Sequence, residues 1–345
     1  MTAGNPFVKV ENASRWFDVS GPWLERILKR RPPVLLKAVN GVTFTVEKGE
    51  TLALVGESGC GKSTVARLLV GLYEPTEGNI EFDGQPLSRL RSRDGKTMRR
   101  RLQMIFQDPY ASLNPRWRIA RIIAEPLKVH RRMTPAERLE RVDELLAQVG
   151  LSPADRNRYP HQFSGGQRQR ISIARALAAG PEFLVCDEPT SALDVSVQAQ
   201  VLNLMKRLQR ELGLTYLFIS HNLAVVHHMA DRIAVMYLGK IVELAQRDEL
   251  FNAPRHPYTR MLLSAIPDTS GMGKRRVAVG GEVPNPLKPP LGCPFHPRCP
   301  HARELCRAEV PALLPDDSTQ VACHGIAQRW IAREDEPRRP RRHDH

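Results

Sequence analysis

The sequence predicts an α/β fold with parallel strands at its core, and three observations carry that prediction. Short β-rich runs recur at Thr51-Leu52-Ala53-Leu54-Val55, Phe183-Leu184-Val185-Cys186 and Tyr216-Leu217-Phe218-Ile219. Helical patterns lie between them, as strand-helix-strand crossovers require. A complete glycine-rich phosphate-loop pattern stands where the first of these runs meets the first helix.

Taken in order, Val42-Thr43-Phe44-Thr45-Val46 alternates as a half-buried strand, and Lys48-Gly49-Glu50 turns into the strand at Thr51. A helix follows from Lys62 to about Leu72, with Val65, Leu68, Leu69 and Leu72 at helical spacing. From about Asp108 to Leu177 the pattern is mostly helical. Thr134-Pro135-Ala136-Glu137 reads as a capping box with Pro at the first helical position, and Leu139, Val142, Leu146 and Val149 fall on one face before Gly150. A further helix is expected from Val195 to Leu212. Past Glu249, Pro and Gly become dense and four cysteines crowd together, which places a boundary near residue 255. The expected units are 1–255 (with a helical subdomain at about 108–178), 256–330, and a basic disordered tail at 331–345.

Composition excludes several classes. The 345 residues are 41% hydrophobic and 26% charged, as in globular chains. Nowhere do about 18 apolar residues run together, so no membrane-spanning helix is expected. The start lacks the basic flank and apolar run of a signal peptide. The net charge of +14 invites a nucleic-acid reading. Its basic clusters, Lys29-Arg30-Arg31, Arg99-Arg100-Arg101 and the terminal Pro/Arg segment, are short and separate, which favours solvated surface over a DNA groove.

Gly56-Glu57-Ser58-Gly59-Cys60-Gly61-Lys62-Ser63, continued by Thr64, matches G-x-x-x-x-G-K-[ST] in full. Glycines let backbone N–H groups converge on phosphate oxygens, and the helix N-terminus adds a favourable dipole. Lys62 would reach the β- and γ-phosphates, and Ser63 would hold Mg²⁺. Asp187-Glu188 follow a strand: the Asp suits Mg²⁺ and the Glu suits orientation of an attacking water. Ser164-Gly165-Gly166-Gln167, after Phe163, opens a helix to Ala178, with Ser164 as N-cap and two glycines leaving amides open to an anion.

Together these motifs closely resemble the ABC ATPase family. The signature Ser164-Gly165-Gly166-Gln167 lies between the two phosphate motifs, where that family has it; Phe163 replaces its more frequent Leu. Gln107 matches the Q-loop glutamine, which senses Mg²⁺ and the attacking water. Ser191-Ala192-Leu193-Asp194 matches the D-loop, and His221 matches the switch histidine that contacts the γ-phosphate. Phe17 is the candidate aromatic for stacking on adenine. The resemblance implies a mixed sheet core, a helical signature subdomain and a small cysteine-containing C-terminal domain. It also implies ATP held between the phosphate loop of one cassette and the signature of another, with Glu188, His221 and Gln107 catalytic. Mg²⁺ would be held through Ser63, Gln107 and Asp187.

Arg255-His256-Pro257-Tyr258-Thr259-Arg260 with Leu262-Leu263-Ser264-Ala265-Ile266-Pro267, and Gly292-Cys293-Pro294-Phe295-His296-Pro297-Arg298-Cys299, resemble the tail of oligopeptide/dipeptide importer ATPases, nearest to their F-type subunit. The resemblance implies peripheral attachment at the cytoplasmic face of the plasma membrane, beside two membrane permeases that act with a substrate-binding protein. It favours a heterodimer with a second ATPase subunit over a homodimer, and no nucleic-acid partner. The segment from Gln107 through Trp117 to about Leu127 is the expected groove for a permease helix, though Trp117 equally suits a core aromatic. An ABC ATPase of nucleic-acid metabolism would carry a second cassette or a long coiled-coil insertion, and neither is present.

Cys293, Cys299, Cys306 and Cys323 either fill a small core or bind metal. A cytoplasmic setting disfavours disulfides, and no C-x₂₋₄-C zinc knuckle is present. Four thiolates on a bent loop suit an iron–sulfur cluster, and members of the resembling branch carry a 4Fe-4S cluster here. The expectation is a 4Fe-4S cluster on these four cysteines, with a mixed Cys/His zinc site including His296, His301 and His324 as runner-up. Cys60 and Cys186 read as loop and core residues.

Overall fold

The computed structural model describes residues 6–20, 32–92, 95–130, 133–265 and 282–332. The Lys29-Arg30-Arg31 cluster, Ile266-Pro267 and most of the basic tail lie outside the described residues.

Two sheets organise the chain. A four-stranded antiparallel sheet has the order β2-β1-β4-β5, from β1 (Val8–Asp18), β2 (Leu35–Val46), β4 (Glu77–Phe82) and the short β5 (Gln85–Pro86). The larger sheet is mixed, in the order β11-β12-β10-β9-β3-β8-β7-β6. Its parallel heart is β6 (Leu102–Ile105), β7 (Phe183–Asp187), β8 (Thr215–Ile219), β3 (Thr51–Val55) and β9 (Arg232–Tyr237). β3, β7 and β8 are buried at every position, which is why their sequence reads as unbroken apolar runs rather than alternation. The antiparallel end is β10 (Lys240–Gln246), β12 (Thr319–Val321) and β11 (Leu314–Asp316). The C-terminal segment therefore continues the main sheet through the β10–β12 pairing.

Helix α1 (Lys62–Leu69) leaves β3 through the phosphate-loop motif, and α2 (Gly95–Arg101) precedes β6. Four helices then pack together: α3 (Pro109–Ser112), α4 (Ile119–His130), α5 (Pro135–Gln148) and α6 (Gly165–Ala178). Thr134 caps α5 in a full capping box with Glu137. Val142, Leu145 and Leu146 face the core, whereas Leu139 is exposed, because the buried stripe starts one turn later than the spacing suggests. Leu72 is likewise exposed, since α1 ends at Leu69. Helix α7 (Val195–Leu212) ends on Gly213 in the left-handed region, φ 64°. The remaining α-helices among the described residues are α8 (Leu223–Met229), α9 (Arg247–Asn252), α10 (Pro257–Ser264), α11 (Glu304–Ala308) and α12 (His324–Ala327).

Apolar burial falls into three main clusters. One joins α4–α7 to the β6–β7–β8 face, one lies between the two sheets around α1, and one packs α8 and α10 with Cys293, Phe295 and Cys306. Cys186 belongs to the first and is fully buried, as a core cysteine should be. Every strand that carries a phosphate-site residue is thus clamped on both faces, so the loops at the strand ends are held on a rigid base.

Candidate nucleotide site

The phosphate loop, residues 56–63, is shaped by three glycines with positive φ: 150° at Gly56, 80° at Gly59 and 110° at Gly61. A Cβ on Gly56 would lie 2.2 Å from the Met236 carbonyl oxygen, and one on Gly61 would lie 2.2 Å from that of Ala38. The loop is therefore pressed against β9 and β2 at a distance only glycine permits. Gly61 caps α1 without a side-chain bond, so no capping side chain competes for the first amides of the helix. Ser58 and Gly59 are exposed at the tip, the Thr64 amide in the first turn of α1 donates to the Gly61 carbonyl, and Cys60 is buried beneath the loop.

Lys62 is buried, and its Nζ donates to the Gly56 carbonyl at 2.8 Å and the Glu57 carbonyl at 3.0 Å. Those carbonyls solvate an ammonium group with no carboxylate hydrogen-bonded to it, so a phosphate oxygen would be a stronger partner. Ser63 Oγ donates to Asp187 Oδ1 at 3.2 Å. Burial pushes the Asp187 carboxyl up, with the Ser63 bond opposing. A hydroxyl and a buried carboxylate side by side suit a hard, oxygen-loving cation, so the donor set fits Mg²⁺.

Beside this pair, Glu188 sits at φ 46°, a strained position for a residue with a Cβ, at the end of β7. Its carboxylate accepts from Gln107 Nε2 at 3.1 Å and lies 3.2 Å from His221 Nδ1. The Glu188 side chain is 17% exposed and that of His221 62%. The fold thus gathers Lys62, Ser63, Gln107, Asp187, Glu188 and His221 from four separate chain segments into one polar cluster at the ends of β3, β6, β7 and β8.

The signature stands apart. Ser164 caps α6 by accepting from the Gln167 amide at 3.3 Å, while Gln167 Oε1 accepts from the Ser164 amide at 3.0 Å. Among the described residues, no hydrogen bond joins Ser164–Gln167 to the phosphate loop, Asp187 or Glu188. Its neighbours are the D-loop and α7: a Cβ on Gly165 would lie 3.4 Å from Leu193, and one on Gly166 would lie 2.3 Å from Val197. Ser164 and Asp194 are both exposed, and Asp194 makes no capping bond to α7. Phe17 packs edge-on to Tyr73 at 5.3 Å, with the Arg15 guanidinium 4.9 Å over its ring. Tyr73 follows the C-terminal end of α1, about 12 Å of helix away from the phosphate loop.

A second feature escapes any reading of local motifs. Arg298 donates both guanidinium nitrogens to the Glu57 carboxylate, at 2.7 and 3.0 Å, across 241 positions of sequence. Tyr258 Oη accepts from the Glu57 amide at 2.9 Å. Nothing in the spacing signals these contacts, because only the tertiary fold brings the C-terminal segment to the loop.

A strand-borne phosphate loop, a Mg²⁺-suited Ser–Asp pair and an acid oriented by Gln and His define a nucleoside-triphosphate hydrolase of the phosphate-loop class. The comparisons narrow this. The ABC transporter family model matches residues 39–191, and the oligopeptide/dipeptide transporter C-terminal region model matches residues 242–306. The chain is 50% identical to the oligopeptide transport ATP-binding protein AppF of Bacillus subtilis, over 94% of this chain and 99% of that one. It is 54% identical to the di/tripeptide transport ATP-binding protein DppF of Pseudomonas aeruginosa, over 85% and 91% of the two chains. It is also similar to a dimeric structure of the ATP-binding cassette MJ0796 in a post-hydrolysis state bound to ADP and Pi, with TM-score 0.61, 29% identity, and 70% and 98% of the two chains covered. The chain belongs to the ABC transporter family, as an ATP-binding subunit of the oligopeptide/dipeptide branch.

The expected 4Fe-4S cluster does not survive, nor does the zinc alternative. Among the described residues no group of three or more His, Cys, Asp or Glu is arranged to hold a metal ion. Cys293, Cys299, Cys306 and Cys323 border a space of about 10 Å³ together with Phe295, Trp330 and Ile331 and with His256, His296, His301 and His324. Burial pushes the thiols up, to about 12 at Cys293 and about 11 at Cys299, and upward at Cys323. Cys293 and Cys306 sit in the apolar cluster with Phe295, and Cys299 and Trp330 pack against it, which is the core-filling alternative. Spacing alone misleads here because it says nothing of what else lines the site.

Proposed function

We propose that this chain energises an importer of di- and oligopeptides by hydrolysing ATP to ADP and phosphate, with cargo passing through separate membrane subunits. The observation that carries the ATPase reading is the hydrogen-bonded convergence of Gln107 and His221 on Glu188, beside the Ser63–Asp187 pair. Glu188 accepts the proton of the attacking water, Gln107 and His221 orient that carboxylate, and Lys62 with the loop amides grips the phosphates. Ser63, Asp187 and Gln107 would hold Mg²⁺, which would offset phosphate charge. Phe17 is proposed to stack on adenine.

Ser164 is exposed beside the D-loop, and among the described residues no hydrogen bond ties the signature to the chain's own phosphate loop, Asp187 or Glu188. That placement favours a head-to-tail pair in which Ser164, Gly165, Gly166 and Gln167 of one cassette complete the site of the other, flanked by Asp194. A second, different ATPase subunit is the proposed partner, with two permeases and, through them, a substrate-binding protein. Residues 1–255 are proposed as the nucleotide-binding unit and 256–330 as an accessory unit. Among the described residues no helix is long and apolar enough to cross a membrane, and the proposed place of work is the cytoplasmic face.

A groove of about 260 Å³ between Leu72, Phe106, Val129 and Arg175 is the proposed seat of a permease helix. Phe106, next to Gln107, and Val129 are exposed there. A rearrangement of the groove would reach Gln107 through a single peptide bond. Trp117 instead packs against the helical core, with Arg121 stacked 4.0 Å over its ring. Peptide uptake by cells lacking the chain, restored by the wild type and not by Lys62→Ala, tests the proposal. Restoration by Lys62→Ala, or co-purification with ribosomes or DNA in place of permeases, would refute it.

A further inference from the structure

The motif around Arg298 is unused by the ATPase chemistry, yet it ends on the phosphate loop. Glu57 is held at three points. Its amide donates to Tyr258 Oη, its carboxylate accepts the two-pronged Arg298 pair, and its carbonyl accepts from Lys62. One loop residue therefore joins the C-terminal segment to the lysine that grips the phosphates.

The far side of this link is rigid. The Arg298 side chain is only 7% exposed, and its guanidinium lies 5.9 Å from the centroids of both Tyr237 and Phe295. Tyr237, Tyr258 and Phe295 pack on one another with ring centres 4.6 to 5.5 Å apart. Tyr237 also ends β9, whose preceding Met236 carbonyl sets the limit on Gly56. The loop is thus gripped from below by β9 and from the side by residues 258 and 298. A planar guanidinium fixes a carboxylate in orientation as well as distance, which an ammonium group cannot do.

We infer that Arg298 and Tyr258 are positioning residues for ATP binding, acting through Glu57 to hold the Gly56 and Glu57 carbonyls at the height from which Lys62 meets the terminal phosphates. This rests on the ATPase reading and adds a role for the C-terminal segment inside the nucleotide site. Without the link the loop stays on its helix, but the carbonyls that hold Lys62 lose their fixed frame. ATP should suffer more than ADP, because Lys62 reaches the γ-phosphate as well as the β-phosphate.

The test is the Kd of the full-length chain for Mg-ATP and for Mg-ADP, measured in a Glu188→Gln background so that nucleotide is not consumed, with thermal stability followed in parallel. Arg298→Ala should weaken Mg-ATP about 10-fold, within the range of couplings carried between sites, and Mg-ADP distinctly less. Arg298→Lys should recover part of the loss and Tyr258→Phe should reproduce part of it. Glu57→Gln combined with Arg298→Ala should be no worse than Arg298→Ala alone, since both cut one link. If Arg298→Ala fails to fold, Arg298→Lys and Tyr258→Phe decide the matter. Unchanged Mg-ATP binding in these variants, or equal losses for ATP and ADP, would overturn the inference while leaving the ATPase reading intact. A parent chain that binds no Mg-ATP would instead sink the ATPase reading.

Discussion

Glu188→Gln is the substitution that the polar cluster makes most informative. The carboxylate accepts from Gln107 Nε2 at 3.1 Å and sits 3.2 Å from His221 Nδ1. An amide of the same shape keeps an oxygen for one of these partners but cannot take up a proton from water. The loss therefore falls on the chemical step and spares binding, which is done by Lys62 and the loop amides. Removing a positioned general base costs about 10²- to 10⁴-fold in rate, or roughly 3 to 5 kcal/mol of transition-state stabilisation at 1.36 kcal/mol per decade. The assay is phosphate release by the chain with its partner subunit and permeases, alongside Kd for Mg-ATP. The expected result is a fall in kcat of at least 100-fold with Kd changed by less than about threefold. A kcat within threefold of the wild type would refute the base assignment. A collapse of binding would show that Glu188 serves the loop's structure rather than its chemistry.

Two more outcomes follow from the geometry. Gly61→Ala places a Cβ 2.2 Å from the Ala38 carbonyl at φ 110°. It should cost about 1–3 kcal/mol from backbone strain alone, read as a lower denaturant midpoint, and should abolish ATP binding; a stable, ATP-binding variant would contradict the proposed loop geometry. His256 is buried and neutral, its Nδ1 accepting from the Tyr258 amide at 3.0 Å, and burial depresses it to about 3 from an ordinary 6.5. The unfolded chain takes up this proton first, so stability should be full above about pH 6.5 and decline as pH falls toward 3, by on the order of several kcal/mol. His256→Gln should flatten that decline in denaturant melts; an unchanged slope would remove His256 as its source.

The sequence made the nucleotide side of the molecule legible because its chemistry is local. A phosphate loop needs glycines at fixed offsets, a buried parallel strand needs an apolar run, and a helix needs its cap, so β3, β7, β8, α1, α6 and α7 could all be read from short windows. The limits appear where a residue's surroundings come from elsewhere in the chain. Leu139 and Leu72 have the right period but lie outside the buried stripe or past the helix end. The β11–β12 hairpin is too short and polar to announce that it extends the main sheet. The four late cysteines could be counted, but not the Phe, Trp and Ile that pack among them. Arg298 stood in a motif that could be quoted without any hint that its partner was Glu57.

In the proposed mechanism ATP is held between two cassettes, each lending what the other lacks. The most direct test is the solution mass of the Glu188→Gln chain mixed with its partner ATPase subunit, with and without Mg-ATP, by light scattering. The mass should rise to that of the pair when Mg-ATP is added, return to single chains with Mg-ADP, and fail to rise when Ser164 is replaced by Arg. Single chains saturated with Mg-ATP, or a pair that forms equally well with Ser164→Arg, would contradict it.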